Sequence, residues 1–196
     1  MKEINEMSIG ELAAFVSSHL RENGINATLS GGACVSIYSS NRYQSYDLDF
    51  IENLSSSRQK LKSILSKIGF VEESRYFKNP KTKFFIEFPL GPLTVGDEPV
   101  KEVIKIKYET GELQIISPTE SIKDRLAAYY HWNDNQCLEQ AFLIAEMKEI
   151  NVAELERWSV NENKADVFSK IKNKFILLQK NLRKLKKKKQ NSCSNV

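Results

Sequence analysis

Asp47, Asp49, Gly31 and Gly32 have residue types and spacing that suit phosphate chemistry. Asp47 and Asp49 flank Leu48 in a β-type run. Alternation along a strand puts both carboxylates on one face, with Cβ atoms about 7 Å apart, and turns Leu48 inward. Two acids so placed repel each other unless a cation joins them. Gly31-Gly32 ends a short β-type segment and opens a helical pattern, so backbone N–H groups can approach an anion with the positive end of a helix dipole behind them. A magnesium site beside a phosphate cradle suits transfer of a phosphoryl-linked group. Glu87 lies between Ile86 and Phe88 in an aromatic strand pattern. As a buried ion it would be costly unless it met a cation, and the same pattern also fits the solvent face of an alternating strand.

The Gly-Gly pair, the helical stretch and the Asp-x-Asp strand together resemble the nucleotidyltransferase superfamily, the polymerase-beta-like fold. Gly31-Gly32-Ala33 followed by Arg42, Ser45 and Asp47-Leu48-Asp49-Phe50 is most similar to small stand-alone enzymes of the abortive-infection and toxin-antitoxin type. Fourteen residues separate Gly32 from Asp47, slightly long for that motif, and Arg42 stands five residues before Asp47 instead of four. The resemblance implies an α+β fold: a mixed β-sheet nucleotidyltransferase core with flanking helices, then a C-terminal helical bundle. It implies that Asp47, Asp49 and Glu87 are catalytic and bind metal, two Mg²⁺ ions with Mn²⁺ as an alternative. A nucleoside triphosphate would be the substrate, met by Ser30, Gly31, Gly32, Arg42 and Ser45. Lys123 and Arg125 resemble basic residues that related enzymes aim at the triphosphate, although Lys, Asp and Arg in a row also describe a solvated helix face. His131, in the run YYHWNDNQ, could touch a phosphate or a base, or sit in a helix corner where Asp134 caps the next helix.

The elements that must position these residues follow from periodicity and capping. Ser8 to Glu11 has capping-box spacing, and Ile9, Leu12, Ala13, Phe15 and Val16 form an apolar stripe running on to Leu20, with Gly24 past the helix end. Ser55 to Ser57 offer caps for a helix that ends near Gly69 and buries Leu61, Ile64, Leu65 and Ile68. Residues 70 to 116 read as β, interrupted by a Pro- and Gly-rich excursion from Pro89 to Pro99 and closed by a hairpin over Val103 to Ile116. Ser117-Pro118-Thr119-Glu120 is a strong helix start, Asn151 to Glu154 repeats the spacing, and a last helix from about Asn163 docks until about Leu185. The chain thus divides into a core over 1–116, a helical region over 117–185 packed on it, and a basic tail over 186–196 expected to be disordered.

Composition sets the frame. At 196 residues with 41% hydrophobic content, the chain can bury one proper core and a helical appendage. Cys34, Cys137 and Cys193 show no paired or zinc-type spacing and read as reduced thiols. The first residues lack a charged-then-apolar leader, and no window approaches about eighteen consecutive apolar residues, so the expected location is the cytoplasm, away from membranes. Seven basic residues between Lys180 and Lys189 exceed the net charge of +4, so the rest of the chain is acidic. Such a tail suits RNA phosphates and equally a solubilising terminus. The acceptor of a transferred nucleotide could be RNA, with a tRNA 3′ end as one form, a protein hydroxyl or a small alcohol. The competing class is a nucleotidyltransferase-like binding protein without turnover, acting with a toxin-antitoxin type partner.

Overall fold

The structure, a computed structural model, describes residues 2–52 and 56–193. After a 3-10 turn at Ile4–Glu6, the first helix, α1 (Ile9–Glu22), starts on the expected capping box. Ser8 accepts from the Glu11 N–H and Glu11 accepts in return from the Ser8 N–H. Gly24 follows the helix at φ +74°. Then come β1 (Ala27–Ser30), α2 (Gly31–Tyr38), β2 (Asp47–Glu52) and α3 (Arg58–Ser66), capped by Ser57. Ser55, the other cap considered, lies outside the described residues.

Three short strands follow, β3 (Val71–Glu73), β4 (Tyr76–Lys78) and β5 (Phe85–Glu87), then a small separate hairpin of β6 (Thr94–Val95) and β7 (Glu98–Pro99) within the Pro-rich excursion. The closing hairpin is β8 (Val103–Tyr108) and β9 (Gly111–Ile116). Seven strands form one mixed sheet in the order β3-β4-β5-β2-β1-β9-β8. Parallel pairings join β2 to β5 and β1 to β9, while β1 and β2 run antiparallel. Alternation gives the sheet two faces. Leu29, Leu48, Phe50, Phe77, Ile86, Leu113 and Ile115 are completely buried, and α1 packs on β9, β1 and β8. Asp47, Asp49 and Glu87 occupy the alternate, half-buried positions of their strands.

The helical region comprises α4 (Pro118–Trp132), α5 (Asn135–Met147), α6 (Val152–Asn161) and α7 (Ala165–Cys193). Ser117, Asp134 and Asn151 cap α4, α5 and α6 through side-chain oxygens. The bundle meets the sheet domain where α2 packs against α4 and α5. Residues 194–196 lie outside the described residues, and over the rest of the expected basic tail α7 continues as helix from residue 186 through Cys193. Phe168, Phe175 and Leu182 dock its first turns in the core. Lysine is a good helix former, so elongation from that docked nucleus costs little. Among the described residues no helix is long and apolar enough to cross a membrane.

Candidate functional site

The site is built where β1 turns into α2. Gly31 has φ +69°, and a Cβ there would collide with the Asp49 carboxylate, so glycine is required both for the turn and for the close approach. A Cβ on Gly32 would meet the Ser45 hydroxyl at 3.0 Å. The first turn of α2 is thereby seated on the acidic strand. Ser30, at its N-cap, makes no side-chain cap; its hydroxyl instead donates to the Asp49 carbonyl at 3.4 Å. The Ser30 side chain therefore leaves the amide groups at this end of α2 uncapped, where an anion can approach them.

Register then gathers the acids. Asp49 lies opposite Ser30 on β1 and opposite Glu87 on β5, with Asp47 two residues earlier on the same face. Burial, and then repulsion from Asp47, Glu87 and Asp124, push the Asp49 carboxyl up to about 7, with the Arg125 guanidinium opposing the shift. Each neighbouring acid has a partner. Asp47 accepts from the Ser45 hydroxyl, and the loop carrying Ser45 is tied to α2 by its N–H donating to Ser36 Oγ at 2.8 Å. Glu87 faces Arg75, Nε to Oε1 3.4 Å. In this arrangement, no three His, Cys, Asp or Glu side chains converge at metal-ligating distance among the described residues. The donor set nonetheless fits a hard divalent cation: oxygen donors on two paired strands, whose mutual repulsion is written into the raised Asp49.

From α4, Arg125 reaches this neighbourhood. Its guanidinium donates to Asp124 Oδ2 at 2.5 and 3.2 Å and to Gln140 Oε1 at 3.3 Å. Tyr43 stands beside Gly32, and burial raises its phenol, with Asp47 adding to the shift and Arg125 opposing it. Asp124, Tyr43 and Arg75 are site neighbours that motif reasoning did not select. Arg75 was invisible because strand pairing alone brings the β3–β4 turn to Glu87.

Three of the residues expected to meet the nucleotide are paired with carboxylates in this structure. Lys123 is 1% exposed and bonded to Glu120 at 2.9 Å and Glu154 at 2.8 Å, because it falls on the same helical stripe as Thr119, Ile122, Leu126, Ala127 and Tyr130. His131 pairs through Nε2 with Glu162 at 3.0 Å, in the helix corner where Asp134 caps α5. Arg42 is half-exposed and pairs with Glu146 on α5, which holds its charge on the bundle side of the loop. Ser30, Gly31, Gly32, Ser45, Asp47, Asp49 and Glu87 come together as one site, with Arg125 at its edge.

The sequence matches no protein-family model and no curated protein. Among solved structures, the chain is similar to the solution structure of the antibiotic-resistance factor ANT(2'')-Ia. Identity is 11%, TM-score 0.45, covering 96% of this chain and 97% of that one. It is similar also to the crystal structure of ANT(2'')-Ia in complex with adenylyl-2''-tobramycin, at 13% identity and TM-score 0.44 over 90% and 97% of the two chains. At these values a functional reading rests on the site's own residues.

Proposed function

We propose that the protein is a metal-dependent nucleotidyltransferase that moves a nucleoside monophosphate from a nucleoside triphosphate to an acceptor hydroxyl. The observation that carries this reading is Asp49 held in register between Ser30 and Glu87, with Asp47 on the same face, beside an α2 N-terminus that the Ser30 side chain does not cap. Asp47, Asp49 and Glu87 would hold the divalent ions, two Mg²⁺ in this reading, which would acidify the acceptor hydroxyl and offset phosphate charge. The amides at Gly31 and Gly32 and the Ser30 hydroxyl bind the β and γ phosphates. Ser45 orients Asp47, and Arg125 sets a positive field behind the acids. The acceptor oxygen attacks the α-phosphorus, forming one P–O bond as the bond to pyrophosphate breaks. Most of the acceleration comes from positioning and charge. The lysines of α7 favour RNA, including tRNA, as acceptor over a protein or a small alcohol.

The test is incubation with Mg²⁺ and each nucleoside triphosphate labelled at the α or the γ phosphate, offered tRNA, total RNA and the protein itself. Label is expected to move from the α position only and to stay put with Asp47→Asn/Asp49→Asn. Transfer of γ label would replace the reading with phosphoryl transfer. Nucleotide binding without any transfer would favour a non-catalytic partner, such as a toxin-antitoxin component.

A further inference from the structure

Arg75 sits in the turn between β3 and β4, where Ser74 takes φ +57° and Tyr76 pairs in register with Glu87. Its backbone is pinned, while its side chain is held only at an exposed edge by Tyr76 and Glu87. Arg58, itself held by Glu72 at 2.7 Å and stacked 4.4 Å from the Phe77 ring centroid, donates to the Arg75 carbonyl at 2.7 Å. The Arg75 guanidinium, by contrast, is 68% exposed, lies 4.8 Å from the Tyr76 ring centroid, and reaches Glu87 at 3.4 Å with Asp49 within its field. A pair of this length with one partner largely in solvent is weak and easily exchanged. Glu87 is also the acid that must turn to the cation if Asp47, Asp49 and Glu87 are to converge.

We propose that Arg75 is a placeholder cation: it occupies Glu87 in the metal-free protein, and when a divalent ion takes Glu87 it swings on Tyr76 to the triphosphate. The inference rests on the nucleotidyltransferase reading and gives Arg75 two opposite effects. It competes with metal for Glu87, and it offers the nucleotide a planar fork that suits phosphate oxygens.

The test is Mn²⁺ binding followed by the electron paramagnetic resonance signal of the free ion. It is paired with calorimetric binding of α,β-methylene-ATP and its GTP, CTP and UTP counterparts in saturating Mn²⁺. Arg75→Gln is expected to bind Mn²⁺ about three- to fivefold more tightly than wild type and the nucleotide analogue about tenfold more weakly. Arg75→Lys, which keeps the charge but not the fork, should restore the wild-type Mn²⁺ affinity and only part of the nucleotide affinity. A purely structural role would weaken both together. Unchanged or weaker Mn²⁺ binding by Arg75→Gln, or nucleotide binding that does not weaken, overturns the inference and leaves the wild-type metal site standing. Wild-type protein that binds no Mn²⁺ overturns the metal reading itself.

Discussion

The acidic face of the sheet and the ion network between α4, α6 and the β6–β7 hairpin use the same side-chain types in opposite ways. In the network, Lys123 bridges Glu120 and Glu154, Arg157 grips Glu98 with two bonds at 2.8 and 2.6 Å and Glu154 at 2.7 Å, and Lys101 spans Glu98 and Glu154. Hydrogen bonding from Arg157, with Asn161 and Lys101 beyond it, pulls Glu98 down to about 2, and Arg157 likewise holds Glu154 far below the carboxylate range. On the sheet, carboxylates face carboxylates and Asp49 is driven the other way, to about 7. The network has already matched its charges, so it can stabilise but has little left to offer a ligand. The sheet face gathers four carboxylates, Asp47, Asp49, Glu87 and Asp124, against the two guanidinium groups of Arg75 and Arg125, a surplus that an arriving cation would balance.

Two substitutions separate the regions most sharply. If the proposed function holds, Asp49→Asn should cut nucleotidyl transfer by at least about a thousandfold, since the proposed transition state depends on its charge. It should leave the fold intact and raise stability at pH 7.5, because one of several repelling acids is gone. Turnover assays and urea unfolding of the same preparation measure both. Lys123→Met should do the reverse. Glu120, 3% exposed, would be left buried without its cation, at a cost of about 3–5 kcal/mol in urea unfolding. If Lys123→Met unfolds normally and loses only nucleotide affinity, Lys123 belongs to the site and the contrast fails.

That contrast also shows what could be read in the sequence. Gly31-Gly32 and Asp47-Leu48-Asp49 were legible because local rules suffice: strand alternation, and a turn whose φ and close contact only glycine tolerates. Glu87 was legible as an anomaly, an acid among aromatics, and its place on a strand beside Asp47-Leu48-Asp49 came from the family resemblance. Lys123, which charge type in the run Lys-Asp-Arg singles out, falls by helical period on the buried stripe with Ile122 and Leu126, where it pairs with Glu120 and Glu154. Asp124 and Arg125, off that stripe, are the pair that reaches the acids. Arg75 and Tyr43 depend on pairings between segments distant in sequence, and no local pattern carries that information.

A smaller effect should appear in the pH dependence of the metal-free protein. Asp49 binds its proton more tightly folded, near 7, than unfolded, near 3.8, so folding stability falls as pH rises through that window. Between pH 5.5 and 7.5 this group should remove about 2 kcal/mol. Glu98 has the opposite sign, its contribution present above about 4.5 and lost as pH falls toward 2, so it is silent in the same window. Urea midpoints at several pH values should therefore slope downward for wild type and lie flat for Asp49→Asn. An equal slope in the variant would move the cause to another group.

The weakest test concerns the helix corner. His131 meets Glu162 at 3.0 Å, but Glu162 also accepts from the Asp97 N–H at 3.0 Å and is covered by Gly96, so it keeps a partner when the imidazole is removed. His131→Ala should cost about 0.5–1 kcal/mol, the net worth of one hydrogen bond, and lower Tm by about 1–4 °C. Affinity for Mg²⁺ and nucleoside triphosphate should be unchanged by calorimetry, because the bond ties α4 to the C-terminal end of α6 and not to the acidic face. A tenfold loss of nucleotide affinity with Tm preserved would place the corner in the site. Matched and unmatched charge would then no longer divide the molecule between scaffold and chemistry.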